Sequence, residues 1–450
     1  MPEKKIPGGD LTSGAVWRSI LAFASPLLVG NLLQQVYNLT DSVIVGHFLG
    51  KEALAAVSAS FFIYYFIISL MIGVGSGITV VVSQYCGARQ YEKVQRAFSS
   101  FFIVMWWAGL AFSCAGMWFA ETFFRLTGTP AEVIPGAVDY FRIYIGGTFL
   151  FVMFNSMISI LRGTGDSTRP MWFILVVAGL NVALDLLFIA VLKWGIAGAA
   201  YATIVAQGGG LALALAHVRR RHALLSLRRK DMVFDRKLLV QGLKTGLPTS
   251  VQQCAVAAGL MALLGIVNGF GTDTLTAYGA AGKIDALITQ AILTFSGALA
   301  AFCGQNIGAG RFDRVRSGVR FAIRLNLAFC LAMFCLLLCF GKGMMRMFTT
   351  DGAVVDIGYG YLAATGSFLV VNGMWHILTG ALRGAGDTVF AMITGIAAFW
   401  MARIPLAWFM GATWGQQGVW WAINISIALG FIATGLYYRT GRWKRHRLVA

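Results

Sequence analysis

The sequence predicts an all-α polytopic membrane protein made of two copies of one six-helix unit. Three observations support this fold class: the apolar composition, the length of the apolar stretches and an internal repeat. Hydrophobic residues make up 58% of the 450 residues and charged residues 12%, whereas a soluble domain carries about 45–50% and about 25%. Lipid is therefore the expected surroundings of most of the chain.

The repeat is visible as three pairs of similar segments. In each pair the two segments are separated by 221 residues. The pairs are "GKEALAAVSA" (50–59) with "GTDTLTAYGA" (271–280), "SQYCGARQYEKV" (83–94) with "GQNIGAGRFDRV" (304–315), and "LRGTGDSTRP" (161–170) with "LRGAGDTVFA" (382–391). A shared offset indicates a duplicated unit. We predict an N-terminal lobe over 1–216, a basic linker over 217–237 and a C-terminal lobe over 238–450.

Twelve stretches are apolar over the length that a transmembrane helix needs, which is at least about 18 residues. They lie near 15–46, 54–82, 97–119, 136–160, 170–192, 195–216, 240–267, 275–303, 318–340, 357–380, 389–410 and 417–438. Six fall in each copy. Because six is an even number, both copies enter the membrane from the same side, as parallel repeats.

The net charge of +18 could indicate nucleic-acid binding, so its distribution along the chain decides its meaning. Of the 36 Lys and Arg residues, 28 fall before or at the start of the first span, in alternate loops and at the C-terminus. Five fall in the other loops, and three, Arg142, Lys283 and Arg403, fall within spans. This asymmetry follows the positive-inside rule and predicts that both termini are cytoplasmic. We therefore expect no nucleic-acid partner.

The two "LRGxGD" motifs connect spans 4 and 5 and spans 10 and 11 on the predicted cytoplasmic side. We expect Gly163 and Gly384 to adopt positive φ at helix ends, and Asp166 and Asp387 to cap the helices that follow. The repeated segments after spans 2 and 8 are expected to be cytoplasmic turns.

Two prolines occupy matching places in spans 1 and 7. Pro26 and Pro248 each remove a backbone donor, which weakens the helix and permits bending. We predict a hinge at each proline, with a static kink as the alternative.

Four polar residues of the first copy are expected to form a cation site. Ionisable residues deep in lipid are costly and mark functional sites. At 1.5 Å per residue, Asp41 in span 1 and Asp185 in span 5 lie about 10 Å below the outer surface, and Thr203 in span 6 about 12 Å. Asn181 is one turn from Asp185 on the same face. Such oxygen atoms suit Na⁺, and paired carboxylates can alternatively share a proton.

The repeat provides an internal control for this site. With an offset of 220 to 221 residues, Asp41 maps near Ala262, Asn181 to Met401, Asp185 to Pro405 and Thr203 to Ile423. None of them reproduces a ligand, so the site is not a packing feature of the repeat. A purely structural neutralisation of each carboxylate by a neighbouring helix is the alternative.

Further polar residues in the spans are candidates for a substrate cavity. In the first copy they form a polar stripe with Asp41 on span 1: Gln34, Tyr37 and Asn38. In the second copy they are Lys283, Asp285 and Asn372. Lys283 and Asp285 are two residues apart on one helix and are not expected to pair with each other. We interpret Arg142 and Arg403 as structural, since long basic side chains can reach the interface.

Taken together, these segments resemble the multidrug and toxic compound extrusion (MATE) transporters. The resemblance rests on both "LRGxGD" motifs, "QQVYNLTDSVIVGHFLG" in span 1, "GLNVALDLLFI" in span 5 and "GQNIGAGRFDRV" after span 8, and it extends from about residue 15 to 440. It implies two six-helix lobes forming a V around a central cavity that opens alternately to each side. It also implies export of cationic or amphiphilic compounds in exchange for H⁺ or Na⁺, and the family's first-lobe cation site matches Asp41, Asn181, Asp185 and Thr203.

One departure concerns the second lobe. Some family members carry an acidic residue there, ten positions before the second "LRG", where this chain has Asn372. The chain therefore looks more like the branch resembling DNA-damage-inducible transporters, with coupling in the first lobe by H⁺, Na⁺ or both.

Other classes of function fit less well. Neither a Walker A motif nor an H-E-x-x-H motif occurs, so we expect neither an ATPase nor an enzyme, and no cofactor besides the coupling ion. A flippase for a lipid-linked oligosaccharide on a related scaffold is the alternative, but it would need a more cationic cavity. We expect a monomer in the bacterial cytoplasmic membrane, in contact with lipid and with small organic, cationic substrates.

Overall fold

The computed structural model describes residues 9–126, 134–222 and 224–449, and within them every regular element is helical. The α-helices are α1 (Val16–Gly87), α2 (Tyr91–Leu126), α3 (Ile134–Gly146), α4 (Thr148–Gly163), α5 (Thr168–Asp185), α6 (Gly195–Arg221), α7 (Arg236–Asn268), α8 (Thr272–Gly308), α9 (Phe312–Arg346), α10 (Gly352–Ser367), α11 (Leu369–Ala385), α12 (Thr388–Ile396), α13 (Ile404–Trp414) and α14 (Gln416–Thr440). Two π-helical segments, Leu186–Val191 and Ala397–Arg403, interrupt the series, and short 3-10 turns lie at Arg229–Asp231 and Arg442–His446. The all-α class is confirmed.

The predicted number of spans is also confirmed within the described residues. Ten helical stretches are long and apolar enough to cross a membrane, and two bent helix pairs bring the number to twelve. One pair, α3 with α4, bends by 45°, and the other, α10 with α11, bends by 50°. The breaks lie at Gly147 and Phe368, which the repeat offset relates, so the duplication extends to the shape of the spans.

One predicted boundary is wrong. The sequence suggests a loop between spans 1 and 2, but α1 is helical from Val16 to Gly87, and the apolar stretches Val16–Leu49 and Ile68–Gly87 both lie within it. No proline follows Pro26 in this helix. A lone glycine such as Gly50 disfavours a helix by only about 1 kcal/mol, which is too little to end one.

The "LRGxGD" motifs use their two glycines differently from the prediction. The positive φ angles belong to the second glycine of each motif, Gly165 at 89° and Gly386 at 94°. The first glycine is a packing residue. A Cβ on Gly163 would come within 2.7 Å of the Val82 side chain, and a Cβ on Gly384 within 2.8 Å of Cys303. Both first glycines therefore permit close helix approach.

The aspartates of these motifs also differ from each other. Asp166 caps the following helix as predicted, because its carboxylate accepts the Arg169 backbone N–H at 3.1 Å and the Arg169 guanidinium at 2.7 Å. The capping prediction for Asp387 is wrong, since its side chain makes no bond to the helix start. Asp387 instead accepts the Tyr437 hydroxyl at 2.6 Å.

The helices form two compact units, each with its own core. The first unit is built mainly from Ser25–Gly246 and the second from Leu11–Ala24 with Leu247–Ala450. A core cluster of the first unit contains Ile44, Val45, Tyr140, Ile189, Ala199 and Ala200. The large core of the second unit includes Leu263, Ile292, Tyr361, Leu362, Val419 and Trp420.

The boundaries between the units fall inside helices, next to the two predicted hinges. The first turns of α1 belong to the second unit and the remainder to the first, with the change between Ala24 and Ser25. The first turns of α7 belong to the first unit, with the change between Gly246 and Leu247. Pro26 and Pro248 lie inside these helices, one residue beyond each change. Whether they act as hinges stays a prediction.

The repeated segment after span 8 holds the residues that precede α1. We call Leu11–Gly14 the N-terminal strap. The Gln305 side-chain oxygen accepts the Leu11 N–H at 3.0 Å, and Asn306 donates to the Leu11 carbonyl at 3.1 Å. Arg314 donates to the carbonyls of Gly14 at 2.7 Å and Ser13 at 3.0 Å. This segment thus has a binding role that the prediction of a plain turn did not include.

In the first unit, α2 holds the residues that precede α7 in a similar way. Gln95 accepts the Ser226 N–H at 2.7 Å and donates to the Ser226 carbonyl at 2.9 Å. Ser100 accepts the Asp235 N–H at 2.7 Å. Each repeat therefore binds the residues that precede the first span of the other repeat.

Candidate functional site

Two carboxylates predicted to form a cation site lie together in the first unit. Asp185 is the last residue of α5, immediately before the π-helical segment Leu186–Val191, and it is fully buried. Asp41 lies on α1 and is partly buried. The two carboxyl groups are close enough to interact directly with each other. A π-helical segment inserted in an α-helix is frequent at functional sites.

The amide and hydroxyl of the predicted site also meet. The Asn181 Nδ2 donates to the Thr203 Oγ1 at 3.3 Å, joining α5 to α6. Thr203 in turn donates to the Ala199 carbonyl at 3.1 Å. In this chain of bonds the Asn181 side chain donates through its NH₂ group, so its oxygen remains available as an acceptor. The α5 spacing of four residues places that oxygen on the face that carries Asp185.

The site contains buried acceptor oxygens that no described residue satisfies. Both carboxylate oxygens of Asp185, the Oδ1 of Asp41 and the Oδ1 of Asn181 are buried and meet no donor group in the described part of the chain, and the two carboxyl groups meet each other. Buried polar atoms are nearly always paired, so each exception needs an explanation. Four unpaired acceptors in one place fit a cation, either a proton shared by the carboxyl groups or a metal ion such as Na⁺.

Two spaces lie among the helices of the first unit. A small cavity of about 10 Å³ lies beside Thr203, lined by Tyr144, Gly147, Thr148, Phe151, Thr203, Ile204 and Gln207. A wider recess of about 260 Å³ is lined by Phe48, Leu49, Ile189, Ala190, Lys193 and Gly195. Ile189 lies four residues after Asp185 in the sequence, and none of the four predicted site residues lines this recess.

The polar stripe predicted on span 1 precedes Asp41 along α1. Gln34 and Tyr37 are partly buried and Asn38 is exposed. Asn38 donates to the Gln35 side chain at 3.5 Å. With spacings of seven, four and three residues, these side chains share the helix face of Asp41.

The candidates of the second copy are dispersed within the second unit. Lys283 is exposed and its ammonium lies 5.7 Å from the centre of the Phe348 ring. Asp285 is partly buried. Asn372 lies in the first turn of α11, just after the break in its span. From the sequence we predicted a structural role for Arg403, and the sequence did not reveal the surroundings of this residue.

Buried ionisable residues within membrane-spanning helices mark functional sites. The MatE family model matches residues 26–187 and again residues 248–409. The chain belongs to the MatE family. The two matches correspond to the two copies of the repeat.

Relatives of known name cover nearly the whole chain. "Probable multidrug resistance protein YpnP" of Bacillus subtilis (strain 168) is 32% identical over 441 residues, covering 98% of each chain. "Probable multidrug resistance protein NorM" of Thermotoga maritima is 23% identical over 458 residues, covering 100% of this chain and 96% of the relative.

Solved structures of similar proteins agree in fold. A multidrug resistance MATE family transporter of the MOP superfamily, in its outward-facing conformation, has a TM-score of 0.93 and 26% identity, with 99% of each chain covered. A MATE protein in complex with MaL6 has a TM-score of 0.93 and 25% identity, covering 98% of this chain and 99% of the other.

Proposed function

We propose that this protein is a secondary active multidrug exporter. It exchanges small organic compounds, cationic or amphiphilic, for H⁺ or Na⁺ by alternating access, and Asp41, Asn181, Asp185 and Thr203 bind the coupling ion. The observation that carries the proposal is the group of four buried, unpaired acceptor oxygens in the first unit. The relatives are named for multidrug resistance, which fits export of several drugs and gives no support to the flippase alternative.

The proposed site accounts for both ions by the same chemistry. Two adjacent carboxylates in a dry site repel each other unless a positive charge lies between them. A proton satisfies them by making one group a donor to the other, and Na⁺ satisfies them as a shared ligand with the Asn181 oxygen. Loss of the cation restores the repulsion. Cation binding and the conformation of this site are therefore linked, which is what exchange requires.

The proposal includes a location and an orientation. In this proposal the protein acts as a monomer in the bacterial cytoplasmic membrane. Both termini lie in the cytoplasm, and the distribution of Lys and Arg between alternate loops supports this orientation.

The decisive experiment compares Asp185→Asn with wild type in proteoliposomes carrying an imposed H⁺ or Na⁺ gradient, tried separately. Changes to residues that only support metal ligands reduce affinity by about 10–100-fold. Loss of a direct ligand should therefore reduce gradient-driven uptake of a fluorescent organic cation at least tenfold, and Asp41→Asn should do the same.

Asp387→Asn is the matched control, because Asp387 is also a buried carboxylate but accepts a bond from Tyr437. This variant should keep the wild-type ion dependence even if it is less stable. Normal gradient-driven export by both Asp185→Asn and Asp41→Asn would show that coupling lies elsewhere.

A further inference from the structure

The exposed face of α9 in the second unit carries three arginines. Arg316, Arg320 and Arg324 are all exposed, and we call them the basic stripe. They are spaced by four residues, so they lie on one face of the helix and extend about 12 Å along its axis. The residues of α9 that are buried in the unit, such as Val315, Val319 and Ala322, lie on a different face.

The same exposed face becomes apolar directly after the basic stripe. Leu327, Leu331 and Leu338 are exposed, and they follow Arg324 at three, seven and fourteen residues, which keeps them on its face. Only 17% of the most apolar stretch of α9 is buried within the protein, the smallest share among the ten long spans of the described chain. This face of α9 is therefore available to lipid along most of its length.

The protein leaves the charge of the basic stripe largely uncompensated. Arg316 has one acidic neighbour, Asp313, with 3.7 Å between Nη1 and Oδ1, and both side chains are exposed. An exposed ion pair of this kind contributes little. The side chains of Arg320 and Arg324 form neither an ion pair nor a hydrogen bond with any residue that the structure describes. An anion from outside the chain can thus bind them without displacing a partner.

The first copy of the repeat has no basic stripe. With the offset of 221 residues, the three arginines correspond to Gln95, Ser99 and Ile103 of α2. The chain itself covers this face in the first unit, because Gln95 and Ser99 both donate to the Asp231 carbonyl of the linker, at 3.1 Å and 3.2 Å. The stripe is therefore not a packing feature of the repeat.

The chemistry of the face matches that of an anionic phospholipid. A guanidinium binds a phosphate group through two parallel hydrogen bonds. Helical side chains tilt toward the N-terminus of their helix, and long basic side chains keep their charge at the interface while their stems lie along apolar surface. The charged groups of Arg320 and Arg324 are thus directed toward the level of Arg316. A free phosphate would use only the arginines, whereas a phospholipid also covers the leucines.

We propose that the exposed face of α9, from Arg316 to Leu338, binds an anionic phospholipid. The basic stripe holds the phosphate, and the acyl chains lie along Leu327, Leu331 and Leu338. The inference goes beyond the proposed function, since it concerns the second unit and does not depend on which ion drives transport.

The test counts bound lipids by native mass spectrometry of purified protein in detergent. The probes are phosphatidylglycerol and phosphatidylcholine with identical acyl chains. Wild type should bind phosphatidylglycerol at least about tenfold more tightly, since each basic side chain at an anionic headgroup contributes about fivefold. Arg316→Gln/Arg320→Gln/Arg324→Gln should bind phosphatidylglycerol up to about 100-fold more weakly and lose the preference. Wild-type binding in this variant would overturn the proposal.

A matched variant removes the same charge elsewhere. Arg228, Arg229 and Lys230 are three exposed basic residues of the linker in the first unit. Arg228→Gln/Arg229→Gln/Lys230→Gln should bind phosphatidylglycerol within about twofold of wild type, because distant sites act independently. An equal loss in both triple variants would assign the effect to net charge and would overturn the site on α9.

Two further measurements separate a lipid from a phosphate ion and binding from folding. Glycerol phosphate, which has no acyl chains, should bind wild type at least about tenfold more weakly than phosphatidylglycerol does; equal binding would indicate a phosphate site and refute the lipid. Arg316→Lys/Arg320→Lys/Arg324→Lys retains the three charges at exposed positions, so it should melt close to wild type and keep the preference for phosphatidylglycerol. A folded lysine variant without that preference would contradict the role of charge.

Discussion

Replacing Thr203 with valine should weaken the coupling ion's binding while leaving the protein folded. Valine preserves the shape of threonine but removes the hydroxyl that accepts the Asn181 Nδ2 at 3.3 Å. The Asn181 amide is 1% exposed, so its donor side would lose its partner away from solvent. The amide then gains by turning its NH₂ group toward Asp185, which places a donor where the cation needs an acceptor.

The magnitude follows from the energy of an unsatisfied buried donor, about 1–3 kcal/mol. If the amide turns, that energy appears as weaker ion binding, by about 5- to 150-fold. The assay is the ion concentration that gives half-maximal uptake of a fluorescent organic cation in proteoliposomes. Thr203→Ser, which keeps the hydroxyl, should lie close to wild type.

Thr379→Val is the matched control. Thr379 is also buried and donates to a backbone carbonyl four residues earlier, that of Trp375 at 2.8 Å, as Thr203 does to Ala199. The control loses the same helix bond without disturbing the site. Equal shifts in both valine variants, or no shift in Thr203→Val, would refute the reasoning that Asn181 is oriented by Thr203.

Three further predictions concern packing, pH and orientation. Gly384→Val should lower the melting temperature strongly because its side chain would enter the space of Ala300 and Cys303; Gly179→Ala, in open space, should be neutral or stabilising by up to about 1 kcal/mol. Burial, followed by the nearby His217 charge, lowers the pKa of the linker residue His222 to about 4. Its folded pKa lies below the unfolded value of 6.5, so the protein loses stability as the pH falls from 6.5 toward 4. The loss is about 2 kcal/mol at pH 5. If the melting temperature of His222→Gln falls as steeply with pH as that of wild type, this prediction is contradicted. A cysteine at Lys342 should react with an impermeant reagent from outside the cell and one at Arg228 should not; the reverse labelling would invert the orientation.

The sequence could predict which residues of the proposed cation site meet, because their geometry is local or follows from depth. Asn181 and Asp185 both precede the π-helical segment Leu186–Val191, so the ordinary α-helical spacing between them holds. Asp41 and Thr203 could be added to the predicted site because charged or polar side chains at the same depth in neighbouring spans are expected to meet. The asymmetry between the copies then distinguished a site from a repeated packing feature.

The environment of Arg403 could not be found in this way. Seven residues of π-helix, Ala397–Arg403, end on it, and a π-helical turn shifts every following side chain around the axis relative to α-helical spacing. Periodicity therefore does not show that Arg403 faces Ser426.

The glycines of the "LRGxGD" motifs show a different limit. Both glycines of a motif can adopt positive φ, so conformational freedom alone does not choose between them. The choice depends on tertiary packing, because the space beside Gly163 is filled by Val82 and that beside Gly384 by Ala300 and Cys303. Only the structure shows which glycine makes the turn and which permits the close approach.

The N-terminal strap affects the order in which the molecule can be completed during synthesis. Leu11 and its partner Gln305 are 294 residues apart. At a synthesis rate of about 5–20 residues per second, the strap waits about 15–60 s for the residues that bind it. The strap is thus made well before the residues that hold it. A cut in the loop after α6 would not yield two self-sufficient halves, because each half would lack the helix start that its own unit binds.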